Sequence, residues 1–353
     1  MRLIWLISSL LPVATTLSAF DYVTLNAPGS LDGSGSPAYG TWANGNIFDL
    51  TTGYFKDGTG KAHGFLYNGV SYTQYDAPGS LDGSGTPSYG TWLTGAYDST
   101  VVGYYNDGTG KTHGLSYSQG ITTQIDAPGS LSGSGVPSYG TWCTGTYNGT
   151  ITGYYKDGTG KTHGFLYNGL SYTQIDAPGS LSGSGVPSYG TWVMGMYAQS
   201  VVGYYKDGTG KTHGFIYNGG NYTQIDAPGS LSGSGVPSYG TWLTGINGGN
   251  LVGYYKDGTG KNHGFLFDGT SYSIMDASGS LDQSGSAAYG TWTMGISQDT
   301  ISGYYLDGTG KAHGFLTTVP EPKDYWLAIL AIFALSAAFK GKFRSNQRSK
   351  VQI

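Results

Sequence analysis

Six histidines at regular intervals are the most reactive side chains in this sequence. They stand 50 residues apart, and an aspartate follows each of the first five after 13 residues. An imidazole beside a carboxylate can transfer protons, bind a metal ion or fasten neighbouring strands by hydrogen bonds. Because each unit holds one histidine apart from the others, we expect no shared metal site. We interpret each histidine as a buried residue that hydrogen-bonds the backbone or an Asp or Thr of its own unit. The residues are His63, His113, His163, His213, His263 and His313.

A second polar motif, Asp-Gly-Thr-Gly-Lys, occurs once in each 50-residue unit. A calcium loop needs several oxygen ligands close together. Asp157 and Thr159 supply oxygens in one unit, but Lys161 competes for the carboxylate. The motif therefore favours a tight turn whose aspartate caps its own backbone, with calcium as the alternative, and no other cofactor is predicted. The aspartates of this motif are also candidate contacts on a binding face: Asp57, Asp107, Asp157, Asp207, Asp257 and Asp307.

The charge of residues 20–318 excludes several classes of function. This part of the chain has 10 lysines, 19 aspartates, no arginine and no glutamate, and its formal net charge is −9. Phosphate contacts require clustered positive charge, so nucleic acid is not an expected partner. The sequence contains no nucleophile elbow or phosphate-binding loop, and no unit is set apart from the others for catalysis. We therefore predict a protein without catalytic residues. The single cysteine, Cys143, permits no internal disulfide.

Alignment of the chain with itself shows six units of 50 residues. The fold of these units must position the histidines and aspartates described above. In the unit 140–189, four segments rich in aromatic and β-branched residues are predicted to be strands. The dipeptides Asn148-Gly149 and Asn168-Gly169 favour tight hairpins because both residue types adopt positive φ. Four antiparallel strands per unit, with a longer link to the next unit, predict an all-β fold, a six-bladed β-propeller. The predicted strands cover residues 140–147, 150–156, 162–167 and 171–176.

The two ends of the repeated region predict how the ring closes. Residues 22–26 match the fourth strand of a unit, whereas the chain leaves the repeats at residues 313–316, which match a third strand. Pairing of these segments completes the last blade and removes an exposed edge. Each unit also has one tryptophan on its first strand, which we expect to pack between blades, with exposed sugar platforms as the alternative. These residues are Trp42, Trp92, Trp142, Trp192, Trp242 and Trp292.

The connecting segments differ in how closely the units repeat them. The Asp-Gly-Thr-Gly turn and the link that begins Asp-Ala-Pro-Gly-Ser, expected on one face, are nearly identical throughout. The turns expected on the opposite face vary, as residues 147–150, 197–200 and 247–250 show. A ligand that uses repetition, such as a polysaccharide, is therefore expected to meet the first face.

The N-terminal segment, residues 1–19, has the layout of a secretory signal peptide. Arg2 supplies a positive charge, residues 3–11 form an apolar run, and small residues precede a plausible cleavage site. Cleavage would begin the mature chain at Phe20 or Asp21. An uncleaved membrane anchor is the alternative.

The C-terminal segment, residues 319–353, has three parts in order. Pro320, Glu321 and Pro322 precede an apolar run, predicted as a helix over 325–339, and a basic tail over 340–350. This order resembles the PEP-CTERM sorting signal of Gram-negative bacteria, although the basic residues here are dispersed. The resemblance implies a precursor held transiently in the inner membrane and an exosortase-type sorting enzyme as its partner. An ordinary single-span anchor is the alternative.

The repeats contain two short motifs of a known kind. Gly153-Tyr154-Tyr155 and His163-Gly164-Phe165 resemble the HAF family of bacterial extracellular repeats, in which His-Ala-Phe or a variant follows a Gly-Tyr-Tyr strand. The departure is Gly for Ala at the middle position in every unit. The resemblance covers nearly all of residues 21–318 and implies an exported surface or matrix protein, with no established chemistry.

Together these features predict a non-enzymatic protein exported to the cell surface or extracellular matrix of a Gram-negative bacterium. There it would be a scaffold or binding module associated with exopolysaccharide. The alternative is a multivalent carbohydrate-binding propeller, because Tyr and Asp suit sugars and six weak sites gain by avidity. A secreted hydrolase is a third hypothesis, which the equivalence of the units disfavours.

Overall fold

The computed structural model describes residues 20–30, 39–80, 89–107, 109–130, 139–180, 189–230, 239–280 and 289–320. Every regular element in these ranges is a β-strand, and the strands lie in one compact unit, Tyr22–Thr317. The strands are β1 (Tyr22–Leu25), β2 (Gly40–Ile47), β3 (Leu50–Lys56), β4 (Ala62–Tyr67), β5 (Tyr72–Tyr75), β6 (Gly90–Tyr97), β7 (Thr100–Asn106), β8 (Thr112–Ser118), β9 (Ile121–Ile125), β10 (Gly140–Tyr147), β11 (Thr150–Lys156), β12 (Thr162–Tyr167), β13 (Tyr172–Ile175), β14 (Gly190–Tyr197), β15 (Ser200–Lys206), β16 (Thr212–Asn218), β17 (Asn221–Ile225), β18 (Gly240–Asn247), β19 (Asn250–Lys256), β20 (Asn262–Phe267), β21 (Tyr272–Met275), β22 (Gly290–Ser297), β23 (Thr300–Leu306) and β24 (Ala312–Thr318).

Each of the first five blades consists of four antiparallel strands in chain order, and β10 to β13 form blade 3. The first strand of each blade lies next to the first strands of both neighbouring blades, so the six first strands surround the axis. Three strands of blade 3 have the bounds that the sequence predicts. The fourth is shorter and ends at Ile175, because the side chain of Asp176 turns to His163.

The turns explain most of these bounds. Asn148 and Gly149, between β10 and β11, have φ values of 45° and 78°, as a tight hairpin of the predicted type requires. The link after β12 differs from the expectation, because Gly169 has positive φ but Asn168 does not. Instead, the Asn168 side-chain oxygen accepts hydrogen bonds from the amides of Leu170 and Ser171, which closes a longer turn.

The N-terminal strand closes the ring, which confirms the six-bladed propeller. β1 is the fourth strand of blade 6, with Tyr22 opposite Thr317 and Leu25 opposite Gly314 of β24. Next to it, Gly40 at the start of β2 pairs in parallel with Ala312 of β24. The same single parallel pair joins each other first strand to the third strand of the preceding blade.

A glycine begins every first strand because two backbones meet there. Gly140 has a φ of 126°, and a Cβ at this position would lie 1.9 Å from the carbonyl oxygen of Thr112 in the preceding blade. At the junction between blades 3 and 4, the amide of Ala177 donates a hydrogen bond to Thr191 Oγ1. These short polar contacts hold adjacent blades in one register.

Aromatic side chains fill the interior of each blade and the space between blades. Five third strands bury a phenylalanine completely, and Phe165 is one of them. Trp42 stacks on Tyr54 of its own blade, with ring centroids 4.6 Å apart, and meets the edge of Tyr304 in the preceding blade. The tryptophans are therefore packing residues at blade boundaries. Trp142 is partly exposed and the other five are buried.

The two terminal segments fall largely outside the described residues. The predicted signal peptide and the apolar helix over 325–339 lie there entirely, and of the Pro-Glu-Pro motif only Pro320 is described. Within the described ranges, no helix has the length and hydropathy needed to cross a membrane.

Candidate functional site

Each of blades 1 to 5 carries a histidine held between two carboxylates on one face of the ring. In blade 3, His163 Nδ1 lies 2.9 Å from both carboxylate oxygens of Asp176, and Nε2 lies 3.3 Å from Oδ2 of Asp157. Ionised carboxylates only accept hydrogen bonds, so this arrangement stabilises the imidazole with both ring nitrogens protonated. The hydrogen bond to Asp176 is the main reason that the pKa of His163 is raised, against the opposing effect of burial.

The Asp-Gly-Thr-Gly-Lys turn is closed by its own aspartate. Oδ1 of Asp157 accepts hydrogen bonds from Thr159 N at 2.9 Å, Thr159 Oγ1 at 2.7 Å and Lys161 N at 3.0 Å. Burial acts to raise the pKa of Asp157, but these bonds and the one from His163 outweigh it and hold the pKa below its usual value. The expectation that the Lys161 side chain competes for this carboxylate is wrong, because its Nζ lies 3.7 Å from Asp176 instead.

The hydrogen bonds of the turn compete with calcium for its aspartate. Three donors point at Oδ1 of Asp157 and His163 Nε2 faces Oδ2, so a cation at this carboxylate would have to replace some of these bonds. Among the described residues, no three His, Cys, Asp or Glu side chains form a group that could hold a metal ion.

A glutamine completes the cluster and was not singled out from the sequence. Gln174 accepts a hydrogen bond from the Tyr155 hydroxyl at 2.8 Å and donates one to Asp176 at 2.7 Å. The Tyr155 ring in turn stacks on His163, with centroids 5.2 Å apart. The sequence does contain a pattern that could have identified this residue, because a glutamine stands two residues before the aspartate in four units, at Gln74, Gln124, Gln174 and Gln224.

Blades 5 and 6 depart from this pattern. Blade 5 has Ile274 at the glutamine position. In blade 6 the N-terminal strand supplies Asn26 instead of an aspartate, and His313 Nδ1 lies 2.9 Å from its side-chain oxygen. His313 Nε2 faces Asp307 at 2.9 Å, and hydrogen bonds lower the pKa of Asp307 to about 2 despite its partial burial. The neutral Asn26 leaves His313 with one carboxylate where the others have two.

A tyrosine from the next blade lies beside each of three clusters. The Tyr89 hydroxyl is 3.3 Å from Thr59 Oγ1 in the turn of blade 1, and Tyr39 and Tyr289 make equivalent contacts to Thr309 and Thr259. We call the surface formed by the His–Asp clusters, their Asp-Gly-Thr-Gly turns and these tyrosines the repeated face. It carries half-exposed carboxylates, ammonium groups and hydroxyls at fixed positions.

The clusters predict a stability optimum in mildly acidic solution. The pKa of His163 is raised above its ordinary 6.5, so its stabilisation is complete below that pH and is lost as pH rises through the folded value. The pKa of Asp157 is lowered below its ordinary 3.8, so its contribution is present above that pH and is lost on further acidification. Urea unfolding at stepped pH should therefore give the highest midpoint between these two limits.

The substitution Asp176→Asn, which copies the arrangement of blade 6, tests the histidine part. It should reduce the loss of stability between neutral and alkaline pH, because the main cause of the raised pKa is removed. Asp299→Asn, in an exposed turn of the opposite face, is the control. An unchanged pH profile in the Asp176 variant would contradict the assignment of a charged His163.

The fold and the site define a β-propeller with one polar cluster per blade, and comparisons with known proteins agree with the fold. No protein-family model and no curated protein matches the chain. It is similar to a triple mutant of AofleA from Arthrobotrys oligospora, with 14% identity over 84% of this chain and 86% of that one, and a TM-score of 0.50. It is also similar to the lectin of Aleuria aurantia, described as a six-bladed β-propeller that recognises fucose, with 14% identity over 82% and 93% and a TM-score of 0.47. These likenesses are likenesses of fold.

Proposed function

We propose that this chain is a non-enzymatic, carbohydrate-binding β-propeller that presents equivalent weak sites on its repeated face. The observation that carries the proposal is the recurrence of one preassembled polar cluster, complete in blades 1 to 4 and varied in blades 5 and 6. Sugar hydroxyls both donate and accept hydrogen bonds, and the cluster offers both partners. In blade 3 these are Asp176 and Lys161, each with 28% of its side chain exposed.

Preorganisation favours a ligand contact over catalysis. Both nitrogens of His163 are engaged by carboxylates, so the imidazole has no free nitrogen to act as a general base. Gln174 holds Asp176 from the side, which limits the rotation of the carboxylate. A ligand that meets these groups therefore orders few side chains on binding.

A ligand with a repeating structure can occupy several weak sites of the propeller at once. A polysaccharide repeats its own units, so one chain can contact several blades, and linked contacts raise the overall affinity without any new type of interaction. The export signals of the sequence support a location where such polymers occur. We propose that the chain is delivered to the cell surface or the extracellular matrix through its signal peptide and its PEP-CTERM-like segment, with an exosortase-type partner.

Binding of the purified full-length chain to glycan arrays printed at low and high density tests this function. We expect retention at high density and weak retention at low density. The variant Tyr39→Ala, Tyr89→Ala, Tyr289→Ala should lower retention about tenfold or more, because it removes aromatic surface from the repeated face. Alanine at Asp157, Asp207 and Asp257 is a less clean test, since each of these aspartates closes its own turn.

The matched control lies on the opposite face. Ser99→Ala, Gln199→Ala, Asp299→Ala removes three exposed turn side chains and should leave retention unchanged. Equal retention by the two triple variants, with unfolding temperatures intact, would overturn the assignment of the face. Absence of retention in the unmodified protein would replace the lectin with a scaffold that has no glycan affinity.

A further inference from the structure

A cavity opens on the axis at the face opposite the clusters. It has a volume of about 280 Å³ and lies among the ends of the first strands and the turns that follow them, with contributions from all six blades. A smaller cavity of about 80 Å³ lies deeper between the same strands. We call the larger one the axial pocket. Its size is near the lower end of the range for small-molecule sites.

The sixfold repetition of the chain breaks down at this pocket. The last residue of the first strand differs between blades, whereas the clusters of the repeated face are nearly the same throughout. In blade order these residues are Ile47, Tyr97, Tyr147, Tyr197, Asn247 and Ser297. A pocket on the symmetry axis holds one ligand at a time, and unlike residues around it provide different contacts for the different sides of that ligand.

One side of the axial pocket is a continuous aromatic wall. The ring of Tyr147 lies 4.6 Å from that of Tyr97 and 5.3 Å from that of Tyr197, measured between centroids. The planes of adjacent rings are tilted by 49° and 60°, so they form an uneven aromatic surface on which a flat apolar face can stack against one ring at a time. They do not form a cage that encloses a cation between separated rings.

The other side contains a buried polar group that lacks a partner. Asn46 lines both cavities and is only 8% exposed. Its side-chain nitrogen donates a hydrogen bond to the carbonyl of Thr300 at 3.0 Å, which leaves the oxygen as the free end. That oxygen is buried and has no hydrogen-bond partner among the described residues. An unsatisfied buried acceptor is destabilising, and a ligand hydroxyl would satisfy it once a small movement of the Asn46 side chain brings the oxygen to the pocket surface.

A strained aromatic residue stands at the rim. Phe48 lines the pocket, is 66% exposed and has a φ of 47°. The equivalent residue of blade 3 is Asn148, a type that adopts this conformation readily, whereas a bulky residue there is unusual. The equivalent turn residues of the other blades, such as Asp98 and Gln298, also have positive φ, so the conformation belongs to the hairpin. What distinguishes blade 1 is the exposed apolar ring that this turn places at the rim of the pocket.

From these observations we infer that the axial pocket binds one neutral sugar residue. The tyrosine wall takes the apolar face of the ring, and the oxygen of Asn46 accepts a hydrogen bond from a hydroxyl. All described side chains that line the pocket are uncharged, so an ionic ligand would lose its hydration without gaining a counter-charge. The inference is independent of the repeated face and holds whether or not that face binds glycans.

Titration of the purified full-length chain with methyl glycosides of neutral hexoses, 6-deoxyhexoses and N-acetylhexosamines tests the inference, with calorimetry as the readout. At least one glycoside should bind with one site per chain. Tyr147→Ala should weaken that affinity about tenfold or more, and Tyr147→Phe should retain it, because the stacking surface remains. Asn46→Ala should weaken it as well. The triple tyrosine variant of the repeated face is the control and should bind the glycoside normally.

Three results would overturn the inference. One is the absence of binding by every glycoside in the panel. Another is equal affinity in the unmodified chain and the folded Tyr147→Ala variant. The third is binding of choline chloride at this pocket in place of the glycosides, which would make the tyrosines a cation site. Absence of high-density glycan retention in the unmodified chain, with normal glycoside titration, would count against the repeated face alone.

Discussion

Replacement of Leu25 by aspartate should destabilise the propeller by at least about 3 kcal/mol, because it places a carboxylate in the core at the ring closure. Leu25 is 2% exposed and pairs with Gly314 of β24. The closing strand has four residues, so no neighbouring pair can compensate for its loss. Urea unfolding followed by tryptophan fluorescence measures the effect, since the tryptophans lie at the blade boundaries.

Val23→Asp is the matched control in the same strand. Val23 lies two residues before Leu25, on the same face of β1, but it is 60% exposed. We expect its unfolding midpoint to stay close to that of the unmodified protein. Equal stability of the two aspartate variants would show that β1 does not close the ring.

Gly140→Ala should be the second most damaging change, at about 3 kcal/mol or more. The added methyl group would lie 1.9 Å from the carbonyl oxygen of Thr112, and the φ of 126° is one that alanine rarely adopts. Both problems occur at the contact between two blades, so the blades must separate to relieve them. Chemical unfolding of the purified variant gives the size of the effect.

Gly158→Ala controls for the general effect of adding a methyl group. Gly158 lies in the turn after β11, has no positive φ, and a Cβ there would meet nothing within 4 Å. It should change the stability by a few tenths of a kcal/mol at most. The prediction for Gly140 fails if both alanine variants unfold at the same denaturant concentration.

The strands and the closure could be predicted because local chemistry determines them. The Asn148-Gly149 dipeptide sets both ends of its hairpin, and a spare fourth strand at residues 22–26 has no partner except an incomplete blade. The Asn168 turn was interpreted wrongly, since the same dipeptide letters serve two turn types. The turn type depends on whether the asparagine backbone adopts positive φ, as at Asn148, or its side-chain oxygen accepts the hydrogen bonds that close the turn, as at Asn168.

The sites were harder to predict because they depend on distances across strands. The sequence predicts that each histidine hydrogen-bonds the backbone or an Asp or Thr of its unit, but not that His163 and its equivalents in blades 1 to 5 face two aspartates. The partner of the Lys161 ammonium depends on where Asp176 lies after β13 ends. The axial pocket cannot be predicted from the sequence of any single unit. Asn46 and Tyr147 lie 101 residues apart in the chain and meet the same cavity only because the ring is closed.

The position of β1 also determines how the propeller would bear a mechanical load. Tyr22 and Thr317 are paired neighbours, so the chain enters and leaves the ring side by side at the outer edge of one blade. A pull on both ends would break the β1–β24 pairs one after another, beginning at Tyr22, which requires little force. A pull on the C-terminal end alone, against a ligand held on the repeated face, would load β24 while it remains flanked by β23 and β1. A propeller tethered only through its C-terminus would therefore resist tension better than one held at both ends.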